Sequence, residues 1–143
     1  MTLVVIDASV AIKWVVEEEG TAEAFAVRRE HTTIAPELLI PECANILWKK
    51  VMRGELEPRE AQMAAGLLAR ADIELFGMRG FAEAATRLAI ALKHPAYDCI
   101  YLALAMDRDC RFITADGDFV RTVGEIGTPD MRRCVGLLGG TIA

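Results

Sequence analysis

No apolar run in this sequence is long enough to cross a membrane, which takes about 20 residues. The most apolar N-terminal stretch, Leu3 to Val16, is broken by Asp7 and Lys13 and has no basic segment ahead of it. It reads neither as a span nor as a signal peptide, and the expected address is the cytoplasm. Basic charge is also short, since 16 Lys and Arg against 21 Asp and Glu leave a net charge of −5. That argues against a protein whose main device is a basic surface, although a local basic strip beside an acidic site stays open. Zinc-type chemistry has little to work with. Cys43, Cys99, Cys110 and Cys134 form no C-x-x-C pair, and His31 and His94 are too far apart in sequence to suggest a metal pair. Reduced, buried thiols and surface imidazoles are the expectation. Repeats, low-complexity tracts and linkers are missing too.

What is present suits one compact domain over residues 1–143, with 53% hydrophobic and 26% charged residues. Leu3 to Ile6 is a short β-branched run that reads as a strand buried on both faces. Helices are expected over Ser9–Val16 and Thr21–Arg29, the second with Thr21 as its cap. Thr32–Ala35 is a strand closed by Pro36. A long helix spans Glu37–Arg53, starting in earnest near Pro41, with Ile40, Ala44, Leu47 and Val51 as its core-facing stripe. Pro58 opens a helix to Arg70, Ile73–Phe76 is a strand, and Phe81–Leu92 and Ala96–Asp107 are helices separated by His94-Pro95. Arg111–Thr114 is a strand, a short helix starts at Asp118, and a last strand lies near Cys134–Leu138. Strands alternating with helices predict an α/β fold, a central parallel sheet flanked by helices on both faces.

Four carboxylates sit where ordinary surface charge is not expected. Asp7 ends the first buried strand, and in open α/β sheets ligands bind at that edge. Glu42 lies in an otherwise apolar first turn. Asp98 opens a helix that is apolar nearly all round, so it needs a partner. Asp116 follows the Phe112-Ile113 strand, with Asp118 two residues on; one of the two suffices as a cap, which leaves the other surplus. Each alone is explained about as well by helix capping or by the helix dipole. As a set they meet at one sheet edge, where like charges repel unless cations neutralise them. Oxygen-only donors suit hard cations such as Mg²⁺ or Mn²⁺.

Four segments, in this order and spacing, carry a family resemblance. They are Val5-Ile6-Asp7-Ala8-Ser9, Pro41-Glu42-Cys43-Ala44-Asn45, Tyr97-Asp98-Cys99-Ile100-Tyr101-Leu102-Ala103-Leu104-Ala105 and Thr114-Ala115-Asp116-Gly117-Asp118-Phe119. Over nearly its whole length the chain resembles a PIN domain of the VapC type, the toxin ribonucleases of bacterial and archaeal toxin–antitoxin pairs. The resemblance implies an Mg²⁺-dependent endoribonuclease whose metal-binding and catalytic acids are Asp7, Glu42, Asp98 and Asp116, with Asp7 and Asp98 the main ligands. Asp118 matches a position that is often, not uniformly, acidic. Ser9 and Thr114 match hydroxyls that orient the acids or their waters. Two ions, with Mn²⁺ as a substitute, would activate water against an RNA phosphate and leave a 5′-phosphate product. Implied partners are RNA and a small VapB-like antitoxin in the active-site groove; neither a membrane nor DNA is expected to be bound directly by this chain. A homodimer is expected as well, with Trp14, Val15, Val16 and Phe25 among the apolar residues available to it.

RNA must still approach an acidic protein. Lys49 and Arg53 follow Glu42 by offsets that return within about 20° of its direction on a helix, so both are candidate phosphate contacts. A basic helix end favoured by its dipole explains them equally well. Trp14 and Trp48 read as core or dimer packing before base stacking. A haloacid-dehalogenase-type phosphatase would need Asp at position 9, which is Ser. A receiver domain would need an acidic pair near Asp7 and a late Lys, and no Lys follows Lys93. The alternative from another class is a weak or inactive PIN-like module whose acidic groove mainly binds a basic peptide.

Overall fold

The computed structural model describes residues 1–140, so the last three residues of the expected 1–143 domain lie outside it. Its centre is a strand whose side chains are buried on both sides. In β1 (Thr2–Ile6) the consecutive residues Val4, Val5 and Ile6 are all buried, which requires cover on both faces. Burial of each such side chain stabilises the fold by roughly 1.5–3 kcal/mol. Parallel neighbours follow on either side: β2 (His31–Pro36) and β4 (Arg111–Thr114) pair directly with β1. Then β3 (Glu74–Phe76) extends β2, and β5 (Val135–Leu137) extends β4. The order is β3-β2-β1-β4-β5, all parallel.

This order fixes the layers. The chain leaves β1 toward β2 and β3, so right-handed crossovers place α1 (Ala8–Ala11), α2 (Thr21–Glu30), α3 (Leu39–Met52) and α4 (Pro58–Ala69) on one face. It then returns past β1 to β4 and β5, which puts α5 (Ala82–Leu92), α6 (Ala96–Asp107), α7 (Gly117–Ile126) and α8 (Pro129–Cys134) on the other. The direction reverses between β1 and β4. Outside the carboxyl ends of these two strands a crevice opens, the place where sheets of this type bind ligands.

Several local expectations are corrected. The first helix is shorter than Ser9–Val16: after Ala11 it tightens into a 3₁₀ turn, Ile12–Trp14. The Lys13 amine there is drawn to the Glu19 carbonyl at 2.7 Å and the Glu18 carboxylate at 3.2 Å. Thr21 is not a cap; Gly20, at φ 90°, caps α2, and Thr21 instead accepts from the Glu18 N–H at 3.0 Å. The short helix α8 lies where no element is expected, capped by Thr128 with Pro129 at its first position.

The buried stripe of α3 is Leu39, Cys43 and Leu47, one residue out of phase with Ile40 and Ala44. Ile40 is 38% exposed, and Trp48 and Met52, further along the same face, are 56% and 64% exposed. Both faces of α3 are apolar, and contact with α1 and α4 selects one of them. Exposed large apolar side chains also include Met63 and Leu67 of α4, Ile90 of α5, Tyr97 of α6 and Phe25 of α2. Of the other apolar residues expected to be available near the early turn, Val15 and Val16 are partly buried. Trp14 is buried and donates to the Ala24 carbonyl at 2.9 Å. All four cysteines are free, with Cys43 and Cys99 buried.

Candidate active site

At the head of the crevice stands Asp7, 6% exposed, immediately after β1. Its side chain makes no capping hydrogen bond to α1, although the Val10 N–H is near enough to favour its charge weakly. Two hydroxyls hold it instead. Ser9 donates to Oδ1 at 2.5 Å, and Thr114, from the end of β4, donates to Oδ2 at 2.6 Å. The Ser9 hydroxyl also accepts from the Ala115 N–H at 2.9 Å, and the Thr114 hydroxyl accepts from the Asp116 N–H at 3.1 Å. The two strand ends are thus tied across the switch point by side chains as well as by the sheet.

Burial opposes the charge of Asp7 and pushes its carboxyl from the ordinary 3.8 up to about 6. The two hydroxyls work against that rise, while Asp98 adds to it. Glu42, half-buried on α3, is also raised, first by burial and then by Asp98. Its Oε1 accepts a hydrogen bond from the phenol of Tyr101 at 2.5 Å, which favours the charge. Asp98 therefore stands in the field of both other acids. It lies in the first turn of α6 but caps nothing; its Oδ2 is 2.6 Å from His94 Nε2.

Asp116 joins through the Thr114 hydroxyl. Its own side chain caps α7, accepting from the N–H groups of Asp118 at 3.0 Å and Phe119 at 3.2 Å. Asp118 stands at the surface and pairs with Arg121 one turn on. Lys49 is exposed, and Arg53 lies 3.8 Å from Glu55. Along the helix axis they stand about 10 and 16 Å from Glu42. Neither makes an ion pair with the acids.

Two members of the site were not legible in the sequence. Tyr101 is fully buried and stacked on Phe112 at 5.5 Å, so it reads as a core aromatic until its hydroxyl is traced to Glu42. His94, expected at the surface, has a side chain only 19% exposed and bonded to Asp98. The usable signals were spacings: Tyr101 follows Asp98 by about one turn of α6, and His94 precedes Asp98 by four residues, in the bend just before that helix.

Among the described residues no three acids, imidazoles or thiols form a closed cation cage. The donor chemistry nonetheless suits a hard divalent cation. The facing groups are carboxylates, burial has raised two of them, and each shares the field of Asp98. No thiolate competes, because burial and the neighbouring acids push the Cys43 thiol up to about 12 and Cys99 up to about 11.

The chain belongs to the PIN domain family, whose model matches residues 4–125. PIN domains are generally nucleases that use divalent metals. No curated protein matches the sequence significantly. Among solved structures it is similar to PAE2754 from Pyrobaculum aerophilum, with a TM-score of 0.67 and 16% identity over 85% of this chain and 79% of that one. It is also similar to VapC20 of Mycobacterium tuberculosis, a toxin that cleaves the sarcin–ricin loop. That likeness has a TM-score of 0.65 and 13% identity over 87% of this chain and 98% of the toxin. At these identities the likeness concerns the fold.

Proposed function

We propose that this protein is an Mg²⁺-dependent endoribonuclease, the toxin of a toxin–antitoxin pair, acting in the cytoplasm and neutralised by a small antitoxin. The observation that carries the reading is the coupling of Asp7, Glu42 and Asp98 at the switch point of a PIN fold. Three separate elements bring mutually repelling carboxylates to one crevice, an arrangement that burial makes costly without a cation. The likeness to the VapC20 fold supports the toxin part of the proposal.

Asp7 and Asp98, with Glu42 and Asp116, are the residues that would hold Mg²⁺, or Mn²⁺ in its place. The bound ion would supply Lewis-acid activation of water and neutralise charge at the RNA phosphate. Ser9 and Thr114 fix both oxygens of Asp7, so that this carboxylate cannot swing away when substrate binds. Tyr101 does the same for one oxygen of Glu42. Asp116 keeps the turn after β4 closed by capping α7. Lys49 and Arg53 would attract the RNA backbone from the far end of α3. Asp118, paired with Arg121, is left a minor part. The exposed apolar residues of α3 and α4 suit the expected protein contacts, a second copy and the antitoxin.

One observation favours the alternative of an inactive module: both oxygens of Asp7 are already bonded within the protein. Cleavage of RNA by the purified chain in Mg²⁺ separates the two. Wild type is expected to cleave, and Asp7→Asn and Asp98→Asn to lose at least 100-fold in rate, the order lost on removing a principal group of a catalytic site. Full activity in EDTA, or in either variant, overturns the proposal.

A further inference from the structure

We propose that His94 is a positioning residue that aims the Asp98 carboxylate at a bound divalent cation, an inference that rests on the metal-nuclease reading above. The backbone first presents the ring. Lys93, at φ 53°, ends α5 in the left-handed region, and the N–H of His94 donates to the Ala89 carbonyl at 3.1 Å. The imidazole then lies edge-on against Phe119, with ring centroids 5.0 Å apart and planes at 61°. Phe119 is itself 1% exposed, so this contact is a fixed wall.

From that seat Nε2 reaches Asp98 Oδ2 at 2.6 Å. A carboxylate only accepts, so Nε2 carries the proton and donates. Among the described residues no donor meets the other oxygen, Oδ1. One oxygen of Asp98 is held and one is left free, on a residue whose charge is felt by both Asp7 and Glu42. Packing also links His94 to the far side of the crevice, because the N–H of Phe119 donates to Asp116 at 3.2 Å. A single imidazole thus sits between the helix that carries Asp98 and the turn that carries Asp116. Outer groups of this kind orient ligating side chains, and their loss typically weakens metal binding by about 10- to 100-fold.

The donor and the ring can be tested separately. His94→Phe keeps a ring against Phe119 and removes the N–H; His94→Gln keeps an N–H donor and removes the ring. Full-length wild type and both variants are titrated with Mn²⁺, free ion being followed by electron paramagnetic resonance, and are melted in EDTA. His94→Phe is expected to bind Mn²⁺ about 10- to 100-fold more weakly with a melting temperature near wild type. His94→Gln is expected to stay within about threefold of wild-type affinity while melting lower. Wild-type affinity in His94→Phe, or equal loss in both variants, overturns the positioning role alone. Should His94→Phe not fold, His94→Leu makes the same comparison. A wild type that binds no Mn²⁺ overturns the metal reading and this inference together.

Discussion

The phenol of Tyr101 donates a 2.5 Å hydrogen bond to Glu42, so a helix on one face of the sheet holds a carboxylate carried by a helix on the other. Hydrogen bonds to charged groups contribute more than neutral ones, and Glu42 is only half-buried. Tyr101→Phe keeps the stack on Phe112 and leaves the acid without its donor. The variant is expected to lose about 1–2 kcal/mol in urea unfolding at pH 7.5. Its cleavage rate should fall as well, since Glu42 is then free to rotate. Wild-type stability and rate in the variant would show that the contact carries neither.

Asp7 gives a pH dependence of defined sign. Its folded carboxyl titrates near 6 against an ordinary 3.8, so the folded state binds the proton more tightly. The stability that follows is complete below about pH 4 and is lost as the pH rises through 6, a loss of about 3 kcal/mol from this group. Asp7→Asn removes the titration. In metal-free urea unfolding, the stability of Asp7→Asn relative to wild type should rise between pH 4.5 and pH 7.5. A constant difference contradicts the raised carboxyl.

Glu18 has the opposite sign. Lys50 and Lys13 bond its carboxylate, at 2.9 and 3.2 Å, and hold its carboxyl below the ordinary value despite partial burial. Its contribution is present at neutral pH and is lost as the pH falls through the lowered value. Glu18→Gln should therefore cost about 1 kcal/mol at pH 7 and progressively less below pH 4. The same urea series reads both groups.

A divalent cation should reverse the repulsion among the acids. At 100 times its dissociation constant, Mg²⁺ would stabilise wild type by about 2.7 kcal/mol. Asp98→Asn relieves Asp7 and Glu42 of a like charge. Its melting temperature in EDTA should exceed that of wild type, and its response to Mg²⁺ should vanish. The reverse pattern in thermal melts would remove Asp98 from a shared cation site.

Lys49 and Arg53 are tested by salt rather than by rate. If each meets one phosphate of a single strand, Lys49→Ala and Arg53→Ala should each flatten the slope of log affinity against log salt by about 0.7. Binding measured in EDTA keeps cleavage out of the comparison. Unchanged slopes leave the two as a basic helix end.

The strand ends were legible because burial and chemistry coincide there. Val5-Ile6-Asp7 and Phe112-Ile113-Thr114 each run from core into a polar residue, and both turned out to flank the switch point. The phase of α3 was not legible, since Leu39, Cys43 and Leu47 compete with Ile40, Trp48 and Met52 for the same role. Only packing against α1 and α4 decides between them. Capping as an account of the acids fails for Asp7, Glu42 and Asp98 and holds for Asp116. That difference depends on partners distant in sequence, such as Thr114 for Asp7. Short α8 carried a local signature in Thr128-Pro129, too brief to outweigh its surroundings.

The bond between Asp7 and Thr114 spans 107 positions of sequence. During synthesis the first half of the site is made early and cannot be completed until β4 has left the ribosome and inserted beside β1. Contacts of such separation carry a large loop-closure cost and form late. A chain interrupted before Ile113 would hold Asp7 without its second hydroxyl and without the neighbouring strand. Until the later strand arrives the Asp7 carboxylate is held at one oxygen only, by Ser9, so the order of the polypeptide itself sets when the pocket around it closes.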